Sequence, residues 1–331
     1  MQLIENYPIT KGVHCASTSL SEIFRYYNYN LSEAMVFGIS SGLDFVYYDH
    51  YLLDYSRLVF ARNPVMENTL FTNLGLDFKW QYGDEFNWDE VKRNLDKKIP
   101  VLFLTDPYYL EFFNVKVNSA AGHTLTVIGY SEEEGILFIS DSIDDKIFTC
   151  NFDSFFKSIN NKKPPFYQLN IWSPVPFFTI DEPLTVIIER AMINNATAMI
   201  DSQSGHRGIS AIHKLGKDIR YWDELPNWQE LCTNVYRSLE LIGTGGSGFR
   251  KLYQRFLHEA LNVLPWLGET SLLEKIEIIS QSYRKLSRKC YLAGNKDRKI
   301  LSDISNILFE LEFLETDFWS EIISSSNRRG K

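Results

Sequence analysis

Just past the first dozen residues, apolar side chains recur at helical spacing. Leu20, Ile23, Phe24 and Tyr27 stand at i, i+3, i+4 and i+7, the stripe of a helix with one buried face. That helix is predicted to begin at Cys15. A short second helix from about Ser32 is predicted to end in the turn Gly38–Gly42. The period then shortens: residues 44–49 and 56–61 read as strands, with Val46, Leu58 and Phe60 as apolar members. Asn63-Pro64 opens a helix through Leu74, and Gly75 is placed to stop it in a left-handed conformation. Residues 78–82 read as a further strand. Asn87-Trp88-Asp89-Glu90 carries the cap-then-glutamate signature of a helix start, and that helix is expected to reach about Lys98. Pro100–Thr105 is a continuous apolar run of the kind buried strands carry.

A strand over Gly122–Tyr130 comes next, with His123 at its start. Glu132-Glu133-Glu134-Gly135 turns the chain, and Ile136–Ser140 returns and delivers Asp141. Positions equidistant from a hairpin turn oppose each other, so His123 and Asp141 are predicted to share its open end. Helices first and then a mainly antiparallel sheet is an α+β order. The proline-marked stretch from Lys162 to Pro176 is expected to divide the chain into domains 1–175 and 176–331, because proline interrupts both helix and interior strand. Beyond it helical periodicity dominates. Leu184, Ile187, Ile188 and Met192 form one stripe. Ile304, Ile307, Leu308, Leu311 and Leu314 form another, with Glu310, Glu312 and Glu315 interleaved. These read as core-facing stripes.

Chemistry concentrates at Cys15. A thiol at a helix N-terminus meets unpaired backbone N–H groups and the positive end of the helix dipole, which favour the nucleophilic thiolate. A helix-start cysteine, a strand-start histidine and a hairpin-partner aspartate form the nucleophile, base and orienter of a cysteine acyl-transfer site. Each residue alone has an ordinary structural explanation; the ordered trio makes Cys15, His123 and Asp141 the catalytic candidates.

The stretch Gly12-Val13-His14-Cys15-Ala16-Ser17-Thr18-Ser19-Leu20, with Leu31-Ser32-Glu33 and Phe37-Gly38-Ile39-Ser40-Ser41-Gly42-Leu43-Asp44-Phe45, resembles the N-terminal domain of the butirosin biosynthesis protein H family. Gly205-His206-Arg207-Gly208-Ile209 and Gly243-Thr244-Gly245-Gly246-Ser247-Gly248-Phe249-Arg250-Lys251-Leu252-Tyr253 resemble the uncharacterised domain that commonly follows it. The resemblance implies a papain-like (cysteine-peptidase-like) fold turned to acyl transfer, and the helical periodicity beyond it leads to the expectation of a mostly helical domain serving as a lid or carrier-docking region. It implies transfer of an acyl group from an acyl or peptidyl carrier protein to a small-molecule amine, with a phosphopantetheine-linked donor and no other cofactor. Peptidases of this architecture place a glutamine six residues before the cysteine as an oxyanion donor; here that position is Ile9. The Cys15 backbone N–H is then expected to act with His14 or with the backbone of the turn at Ser41 and Gly42. A thioester, being already activated, tolerates a weaker oxyanion site than a peptide does. Acyl transfer is therefore favoured over a peptidase or thioesterase, and over a non-catalytic small-molecule binder.

Composition narrows the partners. The 331 residues carry a net charge of −8, with 14 Lys and Arg against 22 Asp and Glu in residues 1–178 and 20 of each thereafter. An acidic chain is a poor nucleic-acid binder, since phosphate neutralisation supplies most of that affinity. No apolar run reaches the ~18 residues of a membrane span. The N-terminus shows no basic-then-apolar leader, so a cytoplasmic, reduced protein is expected. Cys15, Cys150, Cys232 and Cys290 are scattered without a Cys-x-x-Cys pair, a pattern of neither zinc site nor disulfide framework. The loop Gly243–Gly248 precedes a helix and invites an anion-cradle reading, with Gly245, Gly246, Arg250 and Tyr253 as substrate contacts. His206 and Arg207 are further cleft candidates, whereas His213 and His258 read as structural. Arg284, Lys285, Arg288, Lys289, Lys296, Arg298 and Lys299 form a solvated basic face or a dock for an acidic carrier.

Overall fold

The computed structural model describes residues 1–49, 56–113, 122–162, 169–202, 204–295 and 298–327. In chain order the elements begin with β1 (Gln2–Leu3), α1 (Cys15–Tyr26), α2 (Glu33–Ile39), β2 (Leu43–Tyr48), β3 (Leu58–Arg62), α3 (Met66–Asn73) and α4 (Trp88–Asp96). They continue with β4 (Val101–Thr105), β5 (His123–Ser131), β6 (Ile136–Ser140), β7 (Phe148–Asn151), α5 (Phe152–Ile159) and β8 (Trp172–Pro174). Among the described residues that follow, the α-helices are α6 (Leu184–Ile200), α7 (Gly208–Asp218), α8 (Trp228–Tyr236), α9 (Arg250–Ala260), α10 (Leu272–Gly294) and α11 (Ile300–Asn327). The fold is α+β, with an antiparallel sheet in the N-terminal region and a mostly helical C-terminal region. No described helix is long and apolar enough to cross a membrane.

Packing divides the chain into two compact units, Met1–Val36 with Leu76–Ile180, and Phe37–Gly75 with Asp181–Lys331. The linear division expected at 175/176 meets this near Ile180, but residues 37–75 pack with the C-terminal segment. The reason lies in side-chain partners. Ser41 Oγ donates to the Ala191 carbonyl, and the Asn195 amide exchanges two hydrogen bonds with the Leu43 backbone. The proline stretch at 163–165 lies outside the described residues.

The first unit is built on a six-stranded sheet. Its order is β7-β6-β5-β4-β8, with β1 pairing β5 beyond the end of β4, and every pairing is antiparallel. Helix α1 packs on β5, and its Leu20, Ile23 and Phe24 are fully buried. Asn87 caps α4 by accepting from the Glu90 N–H at 3.2 Å, as its sequence signature requires. Residues 78–82 form no strand; only Gln81 bridges Trp172, because β8 is three residues long and offers little edge.

One irregularity in the β5–β6 hairpin decides which face Asp141 presents. Ser131 pairs Ile136 and Gly129 pairs Phe138, but Val127 pairs Ile139 and Thr126 pairs Ser140, so Ile128 is an extra residue in β5. Its carbonyl is not orphaned: it accepts the Ile4 N–H at 2.8 Å as β1 joins. Continued without this bulge, the register would set Asp141 opposite Thr126, on the face away from His123. With it, Asp141 falls opposite Leu125, two residues from His123 and on the same face. Even counting from the turn would pair His123 with residue 144, so the two side chains meet diagonally.

The second unit carries the β2–β3 ladder within a bundle in which α10 packs on α8, α9 and α11, and α7 on β2 and α11. Of the expected stripes, Ile187, Ile188, Met192, Ile304, Ile307, Leu308 and Leu311 are buried. Glu315, interleaved with the second stripe, is buried too.

Candidate active site

Cys15 is the first residue of α1. His14 caps that helix from an extended conformation (φ −132°, ψ 126°), its Nδ1 accepting the Ser17 N–H at 3.3 Å. The loop before it is held from two sides. The Gly12 N–H donates to the Ser142 carbonyl at 2.9 Å. A Cβ on Gly12 would stand 1.8 Å from Thr18 Oγ1, so only glycine lets the loop lie so close to the helix. On the other side the Glu33 carboxylate accepts the N–H groups of Val13 (3.1 Å) and His14 (2.8 Å) and the hydroxyls of Ser17 (3.3 Å) and Thr18 (3.1 Å).

His123 opens β5, paired with Thr105, whose hydroxyl donates to the His123 carbonyl at 3.0 Å. The Phe113 ring stands edge-on to the imidazole, 5.0 Å between centroids. The imidazole is 15% exposed and its Nε2 lies 2.6 Å from Oδ2 of the fully buried Asp141 carboxylate. The other carboxylate oxygen accepts the Ile143 N–H at 3.1 Å. Burial by itself would lower the His123 pKa. The charge and hydrogen bond of Asp141, with a hydrogen bond and charge interaction from Cys15, outweigh it and raise the pKa to about 10. With Nε2 turned to Asp141, Nδ1 is the ring nitrogen left for the thiol. The structure therefore brings Cys15, His123 and Asp141 together, with the sulfur partly exposed and the other three cysteines buried.

The expected substrate contacts fall differently. His14 is in the first unit, but it is 3% exposed and serves as a helix cap, with its backbone N–H taken by Glu33. The others belong to the second unit. The N–H groups of Ser41 and Gly42 donate to the Gly38 and Phe37 carbonyls and close the end of α2, which corrects the expectation that they are oxyanion donors. His206 and Arg207 extend the β2 edge: Tyr47 N–H donates to the His206 carbonyl, the His206 ring stacks on Tyr48, and the Arg207 guanidinium pairs with Asp44 at 2.5 Å. The Gly-rich loop has positive φ at Gly245, Gly246, Ser247, Gly248 and Phe249. Its donors meet internal acceptors, Gly246 N–H to Thr244 Oγ1 and Ser247 N–H to Glu240 Oε2, both at 2.9 Å.

Arg250 and Tyr253, expected as substrate contacts, are instead fully buried. The Arg250 guanidinium pairs with Glu315 at 2.7 Å, donates to the carbonyls of Asp44, Ala61 and Gly248, and lies over the Tyr283 ring at 4.2 Å. It locks β2, β3, α10 and α11 around the loop. In the basic stretch, Lys289 pairs with Asp303 at 2.7 Å, Lys285 with Glu310 and Arg284 with Glu240, both at 3.6 Å, while Lys296 lies outside the described residues. His213, read as structural, bonds Glu312 at 2.8 Å. Among the described residues, no three His, Cys, Asp or Glu side chains gather as a metal-ligand group.

Sequence reading passed over two carboxylates beside the trio, Glu33 and the buried Glu22. The available signal for Glu22 was its place seven residues after Cys15, two turns along the same helical face.

Residues 14–142 match the family model described as butirosin biosynthesis protein H, N-terminal, a span holding Cys15, His123 and Asp141. Residues 159–322 match a domain of unknown function, DUF4872, the usual companion of the first. The chain carries a butirosin biosynthesis protein H N-terminal domain followed by its usual companion domain. The second family match holds the 205–209 and 243–253 motifs, and residues 37–75, which pack with it, come from the first. Among curated proteins none matches the chain significantly.

Proposed function

We propose that this chain is a cysteine-dependent acyltransferase of specialised-metabolite biosynthesis, moving an acyl group from a carrier-protein thioester to an amine. The observation that carries the reading is the convergence of the Cys15 thiol, the His123 imidazole and the buried Asp141 carboxylate from three separate segments. The family, named for a protein of butirosin biosynthesis, supports a biosynthetic role.

In this mechanism the Cys15 thiolate attacks the thioester carbonyl, and a tetrahedral adduct forms with its oxygen at the N-terminus of α1. Collapse breaks the bond to the carrier's phosphopantetheine sulfur, which takes a proton from the His123 imidazolium and leaves as a thiol. His123, now neutral, accepts a proton from the amine as its nitrogen attacks the acyl-Cys15 carbonyl. Expulsion of the Cys15 thiolate leaves an amide and restores the starting ion pair. Asp141 holds the ring with Nε2–H toward itself and stabilises the cation in each half-reaction. Glu33 and the Gly12–Ser142 bond fix where the sulfur stands.

Incubation with an N-acetylcysteamine acyl thioester, followed by intact-protein mass spectrometry, tests this. A covalent acyl adduct absent from Cys15→Ala, and discharged faster by amines than by water, is the expected result. Faster discharge by water would replace transfer with hydrolysis. No adduct with any thioester would leave a binding protein on an enzyme's scaffold.

A further inference from the structure

Glu22 lies on α1, is 1% exposed and takes no part in the proposed acyl transfer. Its two oxygens reach different segments. Oε2 accepts the Ser140 hydroxyl at 2.6 Å, and Ser140 immediately precedes Asp141. Oε1 accepts the Thr10 N–H at 2.7 Å and its hydroxyl at 3.3 Å, on the segment leading into Gly12 and Cys15. Arg25, one turn along the same helix, donates to Thr10 Oγ1 at 2.5 Å and completes the network.

We propose that Glu22 is a positioning residue for the Cys15–His123–Asp141 set, tying the cysteine's helix, the loop that enters it and the strand end that bears the aspartate to one another. A carboxylate suits this task because its two oxygens accept from two directions at once. An alkyl side chain would leave the Ser140 hydroxyl and the Thr10 N–H buried without partners. The proposal rests on the acyltransferase reading, since it assigns Glu22 to the alignment of that site.

The geometry has a titratable signature. Burial pushes the Glu22 carboxyl up to about 7, against the opposing pull of hydrogen bonds from Ser140 and Thr10 and the charge of Arg25. The groups coupled to it are Arg25 on α1 and Tyr7 on the N-terminal segment; β5 and β6 present Thr126 and Ser140 there.

The test is the rate of Cys15 alkylation by iodoacetamide between pH 5.5 and 9, read by peptide mass spectrometry alongside circular dichroism of the fold. Glu22→Ala should slow alkylation at pH 6.5 by about tenfold or more, because a thiol without its imidazolium partner returns towards a pKa of about 8.5 and is then only about 1% thiolate. Ser140→Ala, which cuts the same link from the other end, should shift the rate in the same direction and serves where Glu22→Ala does not fold. Glu22→Gln can still accept from Thr10 and donate to Ser140. It should keep the rate at pH 6.5 while losing an inflection near pH 7 that the wild type shows. Wild-type rates in Glu22→Ala and Ser140→Ala, or a Glu22→Gln profile superimposed on the wild type, would overturn the proposal while leaving the acyltransferase reading intact. A wild-type Cys15 no more reactive than a free thiol would bring down both.

Discussion

Burial pushes the Cys150 thiol up to about 11 and the Cys232 thiol to about 12, and lifts Cys290 well above the ordinary thiol value. Cys15 differs in every respect that matters to a nucleophile: it is partly exposed, it starts a helix, and it bonds an imidazole held cationic by a buried aspartate. Iodoacetamide at pH 7 should therefore label Cys15 at least about a hundredfold faster than the other three, since the thiolate is the reacting species; uniform labelling of the folded protein would contradict this. The His123–Asp141 pair makes a second residue-scale prediction. The imidazole binds its proton more tightly folded (pKa about 10) than unfolded (6.5). The pair's stabilisation is thus complete below about pH 6.5 and is lost as pH rises through 10. Thermal unfolding followed from pH 6 to 10 should show a decline in wild-type Tm that Asp141→Asn largely lacks. Parallel curves for the two proteins would mean that the pair is not formed.

At the scale of elements, the hairpin depends on its bulge. The bulge depends on β1, which lies against Gly129 so closely that a Cβ there would stand 2.4 Å from the Gln2 carbonyl oxygen and 2.9 Å from Leu3 Cα. Gly129→Val should push β1 off β5, leave the Ile128 carbonyl without the Ile4 N–H, and cost about 1–3 kcal/mol in urea unfolding. It should also slow Cys15 alkylation, because the register that turns Asp141 toward His123 is set across that bulge. A stable Gly129→Val protein with an unchanged Cys15 rate would show that the register is held elsewhere. The helix and strand starts were legible because their signals are short-range: a side-chain cap at Asn87, a left-handed glycine at Gly75, an apolar run at 101–105. The bulge carried no such signal, since its cause is a two-residue strand arriving from the far N-terminus.

For the whole molecule, the second unit is organised around an internal ion pair. Arg250 and Glu315 are both fully buried, and removing one partner strands the other charge. Arg250→Met alone should destabilise this unit by roughly 3–5 kcal/mol, whereas Arg250→Met with Glu315→Leu should recover much of the loss. Chemical denaturation of the single and double variants measures this, and equal damage in both would assign the loss to packing. By sequence alone the arginine reads as an anion contact beside a glycine loop. Its actual partner lies 65 positions away on α11, at a separation where no periodicity argument reaches.

The sequence by itself determined most of the elements from Cys15 to Ser140, though not β1, β7, α5 or β8 and not the absence of a strand at 78–82. It also determined the α+β-then-helical order, and a cysteine, a histidine and an aspartate each at the end of an element. Those features arise from interactions within one or two turns of chain, where propensity, capping and apolar period act. Tertiary structure decided which face Asp141 presents. It also decided that Glu22, Glu33 and Glu315 are internal acceptors rather than surface charges, and that residues 37–75 pack with the C-terminal segment. Burial of a polar group is a property of its neighbours, and here those neighbours come from distant parts of the chain.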